Sequence, residues 1–337
     1  MPLQLFALPF LTTACNIKDT INYRNTLLRF TDVHIDVRQW ENMPSAAQTH
    51  MASQLPFPDV FDAEDILNEL YSSEGIIREM NAAGIDRGIL FSTHSPAISG
   101  VIATETILER IENGEERLWG LASVNTDLWA VNETQAISTL EANLSHDAIL
   151  GVALSPSHQR FRMDDPIYWS IYEKAAEFNA PVFVQTGSST FTGAFQGSAY
   201  TSPNALEFAI EANPDTSFVL SGLGFDRIEA SHNGLGDCLR MARDYDNVWL
   251  EAGSIGSPRF DPDGVVIEQT AKLIKEAELI DRFLFGTGGS VPSGSADATV
   301  DSVIEAFMGA DYTYDEALSV FSANAESLFG LSPSVWP

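Results

Sequence analysis

The sequence predicts an α/β protein built as a single (β/α)8 TIM barrel, with a short N-terminal arm and C-terminal helices. Runs rich in β-branched residues alternate with amphipathic stretches eight times along the chain. The 337 residues suffice for one such barrel, which needs about 250, together with extra loops. The Gly-rich fingerprint of an open, doubly wound sheet does not follow the first run.

Each of the eight repeats begins with a predicted strand. The predicted strands are residues 28–36, 87–93, 118–124, 149–155, 181–186, 217–221, 247–251 and 282–285. The predicted helices include residues 63–83, 102–113, 167–178, 204–212, 228–243, 263–277 and 297–308, and further short helices are expected within 315–329. No linker rich in Pro, Gly and Ser divides the chain, although two small domains would also fit its length. We therefore expect residues 1–27 to form an arm and residues 28–337 to form the barrel.

The charge balance restricts the partners. The chain has 47 acidic and 18 basic residues and a net charge of −29. Such a field repels nucleic acid and anionic membranes, and no apolar run reaches the roughly 18 residues of a membrane helix. We expect a small-molecule substrate or ligand as partner and leave a homodimer open. The acidity fits either an ordinary acidic enzyme or a protein from a salty cytoplasm.

The two cysteines, Cys15 and Cys238, form neither a disulfide framework nor a zinc-ribbon spacing. The segment before Cys15 is mildly apolar and ends in Thr-Thr-Ala-Cys, as a lipoprotein cleavage site does. No Lys or Arg precedes it, whereas a signal peptide begins with positive charge. A cytoplasmic location is therefore expected, with export as a lipoprotein through Cys15 as the alternative.

Polar residues stand at the carboxyl ends of the predicted strands, where (β/α)8 enzymes carry their chemistry. Six of them are, in chain order, His34, Asp36, Ser155, Gln185, Ser221 and Glu251. Closure of a barrel brings such strand ends together although they are far apart in sequence. The sequence therefore predicts one polar site at this end of the barrel.

Several segments resemble the amidohydrolase-related family, in the branch that includes aminocarboxymuconate semialdehyde decarboxylase. They are residues 32–36 at the first strand end, 151–161 around the fourth strand, 165–175 in the next helix and 324–331 in the closing helix. The resemblance covers about residues 30–331. It implies the barrel fold and cleavage of C–O, C–N or C–C bonds.

The departures from the family pattern concern its metal ligands. The resemblance implies histidines where this chain has Asp36, Gln185 and Ser221, and an aspartate where it has Gly288. His34 alone is retained. Catalytic zinc requires about three His, Cys or carboxylate ligands. We therefore predict that the chain holds no metal and no other cofactor, with a loosely bound metal at His34 and Asp36 as a lesser alternative.

A metal-free reaction needs a base from the protein, since bound water is then not made acidic by a metal. His34 is the first candidate, because the ordinary pKa of histidine lies near neutrality, and Asp36 is expected to orient it or to act as the base. The remaining candidates are expected to bind substrate: Ser155, Gln185 and Ser221 as hydrogen-bond donors, Arg160 on a carboxylate, and His94, His158 and Glu251 at the barrel mouth.

Two functions remain open on the sequence. The first is a metal-independent hydrolase or lyase acting on a small organic acid, lactone or amide. The resemblance supports it, because the family includes a pyrone-dicarboxylate lactonase that works without metal. The second is a catalytically silent binding or regulatory protein, which the replacement of four ligand positions favours.

Overall fold

Eight parallel strands form one sheet around a central axis. The computed structural model describes residues 21–55, 62–289 and 296–333. The strands are β1 (Thr31–Asp36), β2 (Arg87–Phe91), β3 (Leu118–Ser123), β4 (Ile149–Leu154), β5 (Val182–Gln185), β6 (Phe218–Ser221), β7 (Val248–Glu251) and β8 (Phe283–Leu284). Each pairs with the next in chain order, so the sheet follows the sequence from β1 to β8. The predicted fold class is confirmed.

The sheet closes between β1 and β8 through few contacts. Val33 N donates to the carbonyl oxygen of Phe285 just past the end of β8, at 3.0 Å. Beside it, the buried Asp32 carboxylate accepts hydrogen bonds from Thr287 N at 3.0 Å and Thr287 Oγ1 at 2.6 Å. The same carboxylate accepts from His34 N at 3.0 Å. Asp32 therefore ties the first strand to the segment that follows the last one.

Helices surround the sheet. The α-helices are α1 (Ser45–Ala52), α2 (Ala63–Leu70), α3 (Ser73–Ala83), α4 (Thr104–Glu112), α5 (Thr126–Val131), α6 (Glu133–Leu144), α7 (Pro156–Gln159), α8 (Trp169–Glu177), α9 (Ser198–Thr201), α10 (Glu207–Ala212), α11 (Leu235–Asp244), α12 (Val265–Glu276), α13 (Ala296–Gly309), α14 (Tyr314–Leu318) and α15 (Asn324–Phe329). None of the helices in the described ranges is long and apolar enough to cross a bilayer.

Apolar side chains fill the barrel interior. A column of rings runs through it: Phe329 stacks near Phe183 with centroids 5.9 Å apart, and Phe183 meets Phe91 edge-on at 5.3 Å. Phe91 in turn stacks against the His34 ring at 3.8 Å. Ala325 and Leu328 of the closing helix pack on the same cluster. The C-terminal helix therefore plugs one end of the barrel, and His34 lies at the top of an apolar interior.

Two predicted helices differ from the structure. The predicted helix 63–83 is two helices, because Ser72 caps α3 by accepting from Gly75 N at 3.0 Å. The predicted helix 228–243 begins only at Leu235. The Asp226 carboxylate accepts from the backbone N–H groups of residues 228 and 229, and this local turn replaces the first helical turns.

Two short hairpins lie outside the barrel sheet. Ile21–Tyr23 pairs with Thr26–Leu28 where the predicted arm meets the predicted barrel, and the Tyr23 hydroxyl donates to the Tyr312 carbonyl oxygen at 2.8 Å. Thr93–Ser95 pairs with Gly100–Ile102, so the strand predicted over 87–93 ends earlier, at Phe91. Cys15 lies outside the described residues.

Candidate active site

A cavity opens at the carboxyl ends of the strands. It encloses about 980 Å³ of space, counting the open solvent at its mouth. Five of the nine predicted site residues line it: His34, Asp36, Ser155, His158 and Gln185. The structure therefore brings together strand ends that are far apart in the sequence.

Two further predicted residues lie beneath the cavity floor. Glu251 is fully buried, and its Oε2 lies 3.1 Å from His34 Nδ1. Ser221 donates to the same carboxylate oxygen at 2.6 Å, and its Oγ lies 3.3 Å from His34 Nδ1. Gly286 makes room for this contact, because a Cβ there would lie 2.3 Å from Glu251 Oε1. Glu251 and Ser221 thus hold the His34 ring from below rather than facing a ligand.

The surroundings of His34 decide its charge. Burial alone would disfavour the protonated ring, but Glu251, assisted by Asp36, outweighs burial and raises the pKa of His34 to about 10. Nε2 lies 3.8 Å from Asp36 Oδ1. At neutral pH the imidazole is therefore protonated. A protonated ring donates protons, which differs from the base role expected from the sequence.

Asp36 forms an ion pair that the sequence analysis did not anticipate. The Arg38 guanidinium donates to Asp36 Oδ2 at 3.0 Å, and the Arg38 side chain is buried in the cavity wall. Burial would raise the pKa of Asp36, but Arg38 and then His34 prevail and lower it to about 2. Asp36 is consequently ionised and lies between two cations.

Two more arginines line the cavity without a carboxylate partner. Arg227 Nε donates to Ser254 Oγ at 3.3 Å, and its NH1 donates to the carbonyl oxygen of Ser188 at 3.3 Å. Arg259 NH1 donates to Gln54 Oε1, and its guanidinium lies over the Phe260 ring. Within the described ranges neither arginine forms an ion pair. The cavity is thus locally cationic in a chain whose net charge is −29.

Two predicted residues do not reach the cavity. His94 lies on the hairpin beside the barrel, where it pairs with Val101, and Arg160 is exposed with its guanidinium over the Phe195 ring. Arg160 caps the end of α7 with a left-handed backbone, with φ of 59°. The cationic groups that do line the cavity, Arg38, Arg227 and Arg259, lie in loops after strand ends, where periodicity gives no signal.

His158 lies in a second polar cluster of the cavity wall. Its Nε2 lies 2.6 Å from Ser189 Oγ and its Nδ1 lies 3.2 Å from Ser99 Oγ. Burial, together with Arg38, lowers the pKa of His158 to about 3, so the ring is neutral at neutral pH. At the start of α7, the helix that contains His158, Ser155 Oγ donates to Gln185 Oε1.

The helix α1 covers one side of the mouth. Its His50 ring contacts Phe191 with centroids 4.6 Å apart, and Thr190 Oγ1 lies 3.3 Å from His50 Nε2. Gln54, one turn further, lies 2.7 Å from the same nitrogen. The mouth is therefore bounded by α1 and by the loop after β5.

A barrel with a polar cavity at the carboxyl ends of its strands is the arrangement that (β/α)8 enzymes share. A family model described as Amidohydrolase matches residues 106–331, more than half of the chain. The protein belongs to this family, and the resemblance stated from the sequence is confirmed. Among curated proteins, none is similar enough in sequence to count as a relative.

Solved structures share the fold at low sequence identity. An uncharacterised TIM-barrel protein from Bordetella bronchiseptica superposes with a TM-score of 0.65 at 20% identity, covering 90% of this chain and 99% of that one. A probable 2-pyrone-4,6-dicarboxylic acid hydrolase from Acinetobacter baumannii, with citric acid bound, gives 0.57 at 15%, covering 90% and 100%. A dihydroxybenzoic acid decarboxylase from Polaromonas, with bound manganese, gives 0.60 at 15%, covering 91% and 98%.

The donor set of this chain does not fit a divalent metal such as that manganese. Asp36 is already paired with the Arg38 cation, and Gln185 Oε1 accepts a hydrogen bond from Ser155. His34 Nδ1 is engaged by Glu251, and Gly288 offers no side chain. In residues 21–55, 62–289 and 296–333, no three His, Cys, Asp or Glu side chains are grouped as metal ligands would be. The absence of a metal remains a prediction.

Proposed function

We propose that the protein is a metal-independent hydrolase or lyase that acts on a small organic acid, including acids that carry a lactone or amide. The observation that carries the proposal is the pair of cavity arginines, Arg227 and Arg259, neither of which has a carboxylate of the described residues within ion-pairing distance. Guanidinium groups bind carboxylates strongly through charge-assisted hydrogen bonds. The substrate is therefore an anion.

His34 and Asp36 supply the chemistry in this proposal. The His34 imidazolium, with Glu251 below it, presents Nε2 towards the cavity and donates a proton or a hydrogen bond to charge that develops on the substrate. Asp36, ionised between Arg38 and His34, orients the attacking water or the substrate. A carboxylate with a lowered pKa is a weak base, so Asp36 acts mainly by position and charge.

The silent binding protein remains the second candidate. The observation that favours it is the Asp36–Arg38 pair at 3.0 Å, which satisfies the very carboxylate that the reaction would use. Under this alternative the cavity binds the same anions without converting them. Binding and turnover are therefore measured separately.

The test begins with binding. Calorimetric titration with citrate as the probe is expected to show binding that weakens at least tenfold in Arg227→Gln and in Arg259→Gln. Arg160→Gln is the matched control, because Arg160 is exposed and does not line the cavity. Equal affinity in all variants would contradict the proposed anion site.

Turnover is then measured on a panel of carboxylated lactones, amides and aromatic acids in the presence of a chelator. Hydrolysis or decarboxylation that survives the chelator and is lost in His34→Gln supports the enzyme. Citrate binding with no turnover of any panel member supports the silent protein instead. Turnover that the chelator abolishes would contradict metal independence.

A further inference from the structure

We propose that Ser189 and His158 form a second reactive pair in the cavity, in which Ser189 is a nucleophile towards activated esters and lactones and His158 is its base. Ser189 Oγ lies 2.6 Å from His158 Nε2, and both residues line the cavity. The pair uses neither His34 nor Asp36. It therefore stands or falls independently of the function proposed above.

The hydrogen bonds around Ser189 fix the direction of its proton. Phe191 N donates to Ser189 Oγ at 3.2 Å, so one lone pair of the hydroxyl is already occupied. The hydroxyl proton then points along its shortest contact, to His158 Nε2. For this nitrogen to accept, the ring must be neutral with its proton on Nδ1.

The other contacts of His158 are consistent with that tautomer. Nδ1 lies 3.2 Å from Ser99 Oγ, which in this tautomer accepts a hydrogen bond from Nδ1–H, and Ser95 Oγ donates to the His158 carbonyl oxygen at 2.9 Å. The Phe191 ring packs edge-on against the imidazole, with centroids 5.2 Å apart. A nucleophile, a base within hydrogen-bond reach and a third group that orients the base are the three parts of an activated hydroxyl.

The charges around the pair favour an anion on Ser189. Four ionisable groups act on His158: Arg38, Arg227 and His50 oppose its protonation, and Asp36 favours it. The two arginines, Arg38 and Arg227, likewise stabilise negative charge that develops on the Ser189 oxygen and on a substrate oxyanion. Burial and these cations make the ring a weak base that stays neutral over a wide pH range.

The reaction balances without a cofactor. Ser189 Oγ attacks the carbonyl carbon while its proton moves to His158 Nε2. The tetrahedral intermediate collapses, and the leaving oxygen takes that proton from His158, which gives an acyl-Ser189 and an alcohol. Water then adds to the acyl group with His158 accepting its proton. The acid is released, and the proton returns to Ser189 Oγ.

The test is covalent labelling of the full chain with phenylmethanesulfonyl fluoride, followed by intact-mass measurement and peptide mapping. We expect one adduct, located on Ser189, and none in Ser189→Ala. His158→Gln is expected to slow labelling about 100-fold. Ser92→Ala is the matched control with unchanged labelling, because Ser92 lines the same cavity but donates to the Leu121 carbonyl oxygen rather than to a histidine.

A pH series separates activation by His158 from simple exposure of a serine. The labelling rate is expected to be flat from about pH 5 to 8, since the ring stays neutral throughout, whereas a histidine of ordinary pKa would give a step near 6.5. Circular dichroism melts establish that each variant is folded. An adduct on another residue, no adduct, or an unchanged rate in folded His158→Gln would overturn the proposal.

Discussion

The Nδ1 atom of His34 lies 3.1 Å from Oε2 of Glu251, although 217 residues separate them in the chain. The contact joins the end of β1 to the end of β7 through the barrel interior. It lies above the apolar ring of Phe91, where little water screens the charges. The pair is therefore both a contact that holds the barrel together and the origin of the positive charge on the cavity floor.

This pair makes stability depend on pH in the alkaline range. The pKa of His34 is raised from 6.5 to about 10 in the folded state. The contribution of protonated His34 to the free energy of unfolding is therefore complete below pH 6.5 and is lost as pH rises through 10. We expect the free energy of unfolding, measured with urea, to fall by a few kcal/mol over that window. Glu251→Gln is expected to be less stable at pH 7 and to show a much flatter slope. An equal slope in both proteins would contradict this account.

A second test of stability concerns Asp32 at the barrel seam, which is the contact between β1 and the segment that follows β8. Asp32→Ala leaves three buried donors without an acceptor, on His34 N, Thr287 N and Thr287 Oγ1, and we expect a loss of about 3 kcal/mol in urea unfolding. The exposed Asp281→Ala is the control, with a change below about 0.5 kcal/mol. Comparable losses in the two variants would show that the seam does not depend on Asp32.

Asp32→Asn separates the hydrogen bonds from the charge. Burial outweighs these hydrogen bonds and raises the pKa of Asp32 from 3.8 to about 6. The protonated carboxyl therefore stabilises the folded state fully below pH 3.8, and this part of the free energy of unfolding is lost as pH rises through 6. An amide retains an oxygen acceptor and carries no charge. We expect Asp32→Asn to be close to wild type in stability at pH 7 and to lack this part of the pH dependence between pH 4 and 6.

Metal content follows from the side chains at the strand ends. We expect the purified, dialysed protein to carry much less than one equivalent of zinc, iron or manganese, because Arg38 already occupies the Asp36 carboxylate. Elemental analysis measures this directly. Stoichiometric metal that is lost in His34→Ala would contradict the prediction and would require the contacts of Asp36 to rearrange.

Salt is expected to stabilise the protein. At a net charge of −29, like charges repel across the surface, and salt screens them over a Debye length of roughly 10 Å at 0.1 M. The melting temperature should therefore rise between low salt and 1 M potassium chloride. A melting temperature that stays constant or falls would remove the interpretation of the acidity as an adaptation to a salty cytoplasm.

The fold was predictable from the sequence because its signals are local. Each buried parallel strand is a short apolar run, so the eight strands and their order follow from the pattern, with ends shifted by a few residues. The meeting of His34, Asp36 and Gln185 at one cavity was predictable for the same reason, since strand ends in a barrel converge. The break at Ser72 and the turn at Asp226 were missed, because a capping side chain competes with helical periodicity.

The electrostatics of the site were not predictable in the same way. Arg38, Arg227 and Arg259 lie beyond the strand ends, and their direction depends on contacts with distant loops. The protonation of His34 depends on Glu251, which the sequence placed at the mouth and the structure places below the floor. Long-range pairing of side chains leaves no periodic pattern, so only the folded chain reveals which charges meet.

The plug formed by Ala325, Leu328 and Phe329 at the far end of the barrel has a kinetic consequence. Aromatic rings fill the barrel axis. A molecule that enters the cavity through its mouth at the carboxyl ends of the strands therefore leaves through the same mouth. Arrival of the next molecule must then wait for departure of the previous one. Under the function proposed above, a product that retains the anionic group would occupy the same cavity arginines as the substrate, and we expect it to inhibit the protein competitively.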